Sequence, residues 1–156
     1  MIKSADFSED RVYRYALWRR WDEDSADYAM FIGLNPSTAD ETIDDPTIRR
    51  CIGFAKAWGY SGLCMTNLFA FRATDPKVMK QVVEPIGKDN DQWLSECAIH
   101  ATVVIAAWGS HGVHRNRDTV VKRLIPELHY LRLTKDGHPG HPLYLPKELT
   151  PIPFEK

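Results

Sequence analysis

Asn35, Asn67 and the late histidines His138 and His141 are the residues whose type and setting could do hydrogen-bond and proton chemistry in this chain. Asn35 belongs to Gly33-Leu34-Asn35-Pro36-Ser37, which follows the apolar run Tyr28–Ile32 directly. That run reads as a buried strand, so the turn after it would project from one end of a sheet. Gly33 lets the backbone approach a ligand, Pro36 fixes the turn, and the Asn35 amide can both donate and accept. Asn67 interrupts the apolar stretch Leu63–Phe71. A buried amide left without partners costs about 1–3 kcal/mol, so it must either tie down a loop or meet a ligand. His138 and His141 flank Pro139-Gly140 in a polar loop, where a histidine is either solvated or functional.

Such a set suits the breaking of an N-glycosidic bond. That reaction develops oxocarbenium character on the sugar and negative charge on the departing base. A histidine at position 138 or 141 could donate to a base carbonyl, and Asn35 could position water on the opposite face. Asn67 could pair its donor and acceptor with a base edge, with Phe69 or Phe71 stacking on the ring. Ser37, Arg49, Arg50, Arg72, Arg115 and Arg117 are candidate phosphate contacts, set against a plain solvated role. Arg49 and Arg50 gain from lying near the start of a helix. Asp40, Asp44 and Asp45 crowd one loop and invite a metal reading, but helix capping by Asp45 and turn chemistry account for them without one. His111 and His114 have the look of a zinc pair lacking a third ligand, so a phosphate patch with Arg115 and Arg117 is the better functional reading. No metal or cofactor is expected. Ser37 and Thr38 have no adjacent base that would make a nucleophile.

Parallel strands alternating with helices would bring these segments together. Asp45-Pro46 is a helix start, and Ile48, Cys51, Ile52 and Ala55 then recur at helical spacing up to Gly59. Leu63–Phe71, Thr102–Gly109 and Leu128–Thr134 read as strands; Asp75-Pro76, Asn90–His100 and residues 116–124 read as helices. Arg11–Trp21 reads as a strand paired with residues 28–34 across a polar turn. The tail from Lys135, rich in proline, reads as irregular. The expected architecture is α/β: a single domain over residues 1–156, three layers, with a central mostly parallel sheet and helices on both faces.

Composition narrows the partners. The formal net charge of -1 argues against a strong non-specific nucleic-acid binder, though not against a local basic face. Three widely spaced cysteines, Cys51, Cys64 and Cys97, make no disulfide framework and fit a reducing cytoplasm. No apolar run approaches the roughly 20 residues that span a bilayer, so no membrane partner is expected.

Four segments in this order, Gly33–Ser37, Thr66–Arg72, Val103–Gly109 and Gly137–Leu143, resemble the motifs of the uracil-DNA glycosylase superfamily. The resemblance implies that Asn35 positions the hydrolytic water and Asn67 reads the base. It makes His141 the electrophile with Leu143 as wedge, and His138-Pro139 the competing alignment. No Asp follows Gly33-Leu34, so the stronger water-activating carboxylate of that superfamily is missing from the turn. Residues from about 11 to 147, with Gly33–Asp40 and Asp44–Thr47, resemble a bacterial and phage domain-of-unknown-function family, number 1643. The implied partner is a nucleic acid or nucleotide. A non-catalytic binding module with the same pocket is the alternative.

Overall fold

The structure is a computed structural model that describes residues 1–154. Seven strands form one mixed sheet in the order β1-β2-β4-β3-β5-β6-β7. They are β1 (Ile2–Phe7), β2 (Arg14–Arg20), β3 (Ala29–Gly33), β4 (Gly62–Asn67), β5 (Val103–Ala106), β6 (Leu128–Tyr130) and β7 (Ile152–Pro153). Four helices connect them: α1 (Pro46–Ala57), α2 (Pro76–Gln81), α3 (Asn90–His100) and α4 (Arg117–Leu124).

The α/β class is as expected, but the sheet is parallel only at its centre. β4, β3, β5 and β6 run parallel, while β2 pairs antiparallel with both β4 and β1 on one side and β7 pairs antiparallel with β6 on the other. The expected hairpin between Arg11–Trp21 and residues 28–34 does not form. β2 pairs with β4, Leu17 facing Met65, and β3 lies on the far side of β4. The polar segment between β2 and β3 instead steps around the start of β4. Trp21 and Asp22 donate their N–H groups to the Ser61 carbonyl, and the Ser61 N–H donates to Asp27 Oδ1 at 2.9 Å. The tail is not wholly irregular either, since Ile152 and Pro153 pair with Tyr130 and His129.

Local chemistry explains the helix that matters most to the site. The Asp45 side chain accepts from the Ile48 N–H at 2.8 Å, and Pro46 occupies the first turn, where its missing N–H costs nothing. Ile48, Cys51, Ile52 and Ala55 are buried at i, i+3, i+4, i+7. They join Ala29 and Phe31 of β3 in one hydrophobic cluster. The alternate β3 residues Met30 and Ile32 join a second cluster with Leu94, Cys97 and Val121. Strand residues alternate between faces, so β3 is buried on both.

Candidate functional site

A cleft of about 750 Å³ opens where β3, β4 and β5 end, lined by Gly33, Asn67 and Ala107 among others. The carboxyl ends of parallel strands are where open α/β sheets hold ligands. The turn after β3, the start of α1, the segment after β5 and the short helical turn Pro142–Tyr144 complete its wall. That framework is held by backbone pairs that continue beyond the strands. Leu68 N–H donates to Gly33 O at 2.9 Å, Phe69 N–H to Leu34 O at 3.0 Å and Ala73 N–H to Pro36 O at 2.9 Å.

Asn35, Asn67 and His141 all line this one cleft. Asn35 Nδ2 donates to Ala73 O at 2.7 Å and to Pro36 O at 3.2 Å. With both amide hydrogens on backbone carbonyls, the orientation is set and Oδ1 remains an acceptor without a protein donor. Asn67 is 2% exposed, and its Nδ2 has no hydrogen-bond partner among the described residues. Its main chain is tightly held, because Asn90 Nδ2 donates to both Asn67 O (2.9 Å) and Leu68 O (3.1 Å). A Cβ on Gly33 would lie 2.8 Å from Asn67 Oδ1 and 2.8 Å from Met65 Cε. Gly33 is thus glycine because the Asn67 side chain occupies the space beside it. His141 Nδ1 accepts from the Leu143 N–H at 3.2 Å, which puts the proton of the neutral ring on Nε2. Burial lowers the His141 pKa and nearby Asp45 partly opposes that, so the ring is neutral at ordinary pH.

The other sequence candidates divide. Ser37 lines the cleft. His138 does not; its backbone closes a turn with Thr134, so His141 is the late histidine at the site. Neither Phe69 nor Phe71 lines the cleft: Phe69 is wholly buried against the His114 ring, and Phe71 packs edge-on to Tyr13 and lines the neighbouring groove that shares Ser37 and Thr38. Trp108 is the aromatic that lines the cleft interior, with exposed Tyr144 at its mouth.

The arginines are dispersed. Arg49 and Arg50 line a separate groove along α1, where Arg50 donates to Leu145 O. Arg72 stands over the Phe7 ring in a shallow neighbouring groove that shares Ser37 and Thr38, and Arg115 donates to Val82 O at 3.2 Å. Arg117 is corrected outright as a phosphate contact. It is 2% exposed and spends Nε on Leu68 O (3.1 Å) and Nη2 on Asp91 (2.8 Å). The first turn of α4 faces the chain after β4, so the guanidinium shares the Leu68 carbonyl with Asn90 and pairs with Asp91.

Two cleft residues escaped the sequence reading as site residues. Asp45 lines the cleft as well as capping α1, which brings a carboxylate to the cleft from a segment outside the Gly33 turn. Arg14, on β2, also lines it at 2% exposure. A charge inside the run Tyr13-Arg14-Tyr15-Ala16-Leu17 was the available signal. Burial pulls its pKa down to about 10, against the opposing pull of Asp45, so it stays cationic at neutral pH. His111 lines the cleft too, its Nδ1 at 2.7 Å from Lys80 Nζ; partial burial and that lysine lower its pKa. Among the described residues, no cluster of three or more His, Cys, Asp or Glu is arranged to hold a metal, and no helix is long and apolar enough to cross a membrane.

Residues 14–143 match the family described as protein of unknown function (DUF1643). No curated protein and no solved structure matches the chain.

Proposed function

The chain belongs to the DUF1643 family, and we propose that it recognises a base or nucleotide and hydrolyses or exchanges its N-glycosidic bond. One observation carries the reading: an outward amide acceptor (Asn35), an unpaired buried amide (Asn67) and a neutral imidazole donor (His141) line a single cleft. These are the three functions the reaction needs, and they come from three separate segments. Asn35 Oδ1 holds the attacking water or hydroxyl. Asn67 reads the base edge. His141 Nε2–H donates to the base as negative charge develops on it. The Asp45 carboxylate supplies the acceptor for the water proton. The two hydrophobic clusters, taken as one packing layer on each sheet face, agree with the three-layer form that the glycosylase resemblance implies.

The test is base release. The protein is incubated with oligonucleotides carrying uracil, mismatched and modified bases, and in parallel with free nucleosides and nucleotides. Free base or an abasic site is expected from at least one substrate, and its release is expected to be lost in His141→Ala with the circular dichroism spectrum unchanged. No base released from any of them would reject the catalytic reading.

A further inference from the structure

Arg14 is the one lysine or arginine lining the cleft among the described residues, and its donors are unevenly used. Nη1 donates to Ala39 O at 3.0 Å. Nε is buried with no partner, and Nη2 makes no hydrogen bond within the described residues. Among the described residues no carboxylate lies within salt-bridge distance of it, the ion pairs there being Lys3–Asp44, Arg11–Glu41, Arg19–Asp44 and Arg117–Asp91. Nε and Nη2 form the edge of a guanidinium that grips two oxygens of one anion side by side. A buried cation without a counterion is costly in the empty protein, so an oxyanion seated there would relieve that cost. The same cleft is lined by Asn67, whose Nδ2 is likewise without a partner among the described residues and is left for the base.

We infer that the cleft takes a nucleoside monophosphate as a free small molecule, with its phosphate seated on the Nε–Nη2 edge of Arg14. This rests on the proposed reading and adds its substrate class. A polynucleotide needs cations along an exposed track, because its phosphodiesters run over the surface. Here Arg49 and Arg50 face another groove, Arg115 is tied to Val82 O and Arg117 is consumed in the core. The cation that does reach the cleft lies at 2% exposure, where a terminal phosphate can descend and a continuous strand cannot.

Calorimetric titration of the full chain with inorganic phosphate, the common nucleosides, their 5′-monophosphates and a 12-mer oligonucleotide tests this. At least one monophosphate is expected to bind tenfold or more tightly than its nucleoside and than the oligonucleotide, with phosphate competing. Arg14→Met should reduce that monophosphate to the nucleoside's affinity, and Arg14→Lys, which keeps charge but loses the two-pronged edge, should remove most of the preference. If Arg14→Met fails to fold, Arg14→Lys and the rise in melting temperature caused by phosphate over chloride at matched ionic strength decide the question. Equal binding of nucleoside and monophosphate, preference for the oligonucleotide, preference surviving in the Arg14 variants, or no binding at all would overturn the inference. A monophosphate bound through Arg14 but recovered intact would sink base release and leave this inference standing. Base release at the same rate from nucleoside and monophosphate would do the reverse.

Discussion

A side-chain amide positions water only if its acceptor is held outward, and at Asn35 two backbone carbonyls, Ala73 O and Pro36 O, do the holding. Asn35→Ala is therefore expected to lower kcat by about 10²-fold, the scale of a lost catalytic contact, with ligand affinity little changed by titration. Asn67→Ala should act differently. On the proposed reading its amide meets the ligand in the ground state, so affinity and discrimination between bases should fall together, read as KM and as the ratio of kcat/KM between bases. Asp45 combines two roles that one pair of variants separates. Asp45→Asn keeps a good N-cap but loses the charge, so turnover should fall while the melting temperature holds. Asp45→Ala should also lose about 1 kcal/mol of stability. Asn35, Asn67 and His141 could be singled out in sequence because polar residues at strand ends and near proline turns are anomalous there. Arg14 could not be placed, because only the assembled sheet shows that its side chain reaches under the Ala39 carbonyl to the cleft.

Elements position these residues through contacts that only pairing creates. β3 and β4 put Gly33 opposite Asn67, and the space a Cβ would need is filled by Asn67 Oδ1 and Met65 Cε. Gly33→Ala should accordingly cost about 1–3 kcal/mol by overpacking, measured by denaturant unfolding. It should also weaken base recognition more than Asn35→Ala does, because the displaced group is the reading amide. α1 was legible because Asp45-Pro46 marks its start and the apolar spacing marks its buried face. β1 was not legible: its residues are exposed or half-buried, so no alternation announced it. Its presence on the outer edge of β2 is part of why the expected hairpin fails. β2 is occupied by β1 on one side and β4 on the other, leaving no edge for β3.

At the scale of the whole molecule, several histidines are held in their neutral form, and that sets a pH signature. Burial lowers the pKa of His114 and of His141 below the ordinary 6.5, with Arg115 and Lys80 adding to the effect at His114. His114 Nε2 is moreover buried without a partner. Above 6.5 these rings are neutral in both folded and unfolded chains and cost nothing. As pH falls below 6.5 the unfolded chain takes up protons that the folded chain resists, so stability must drop until the folded values are passed. The carboxylates with lowered pKa, Asp10, Asp27, Asp40 and Asp44, act in a separate window near and below 3.8. Urea midpoints should therefore be flat from pH 8 to about 6.5 and decline between there and pH 5. The double variant His114→Gln, His141→Gln should reduce that decline, leaving the smaller part that His111 contributes. On the proposed reading base release should fall over the same range, because a proton on Nδ1 removes the acceptor of the Leu143 N–H and with it the hold on the ring's orientation. An unchanged slope in the double variant would show that these two rings titrate in the folded chain as they do unfolded, and a midpoint that rises on acidification would show that the folded chain binds the protons more tightly; either result would overturn the lowered pKa values.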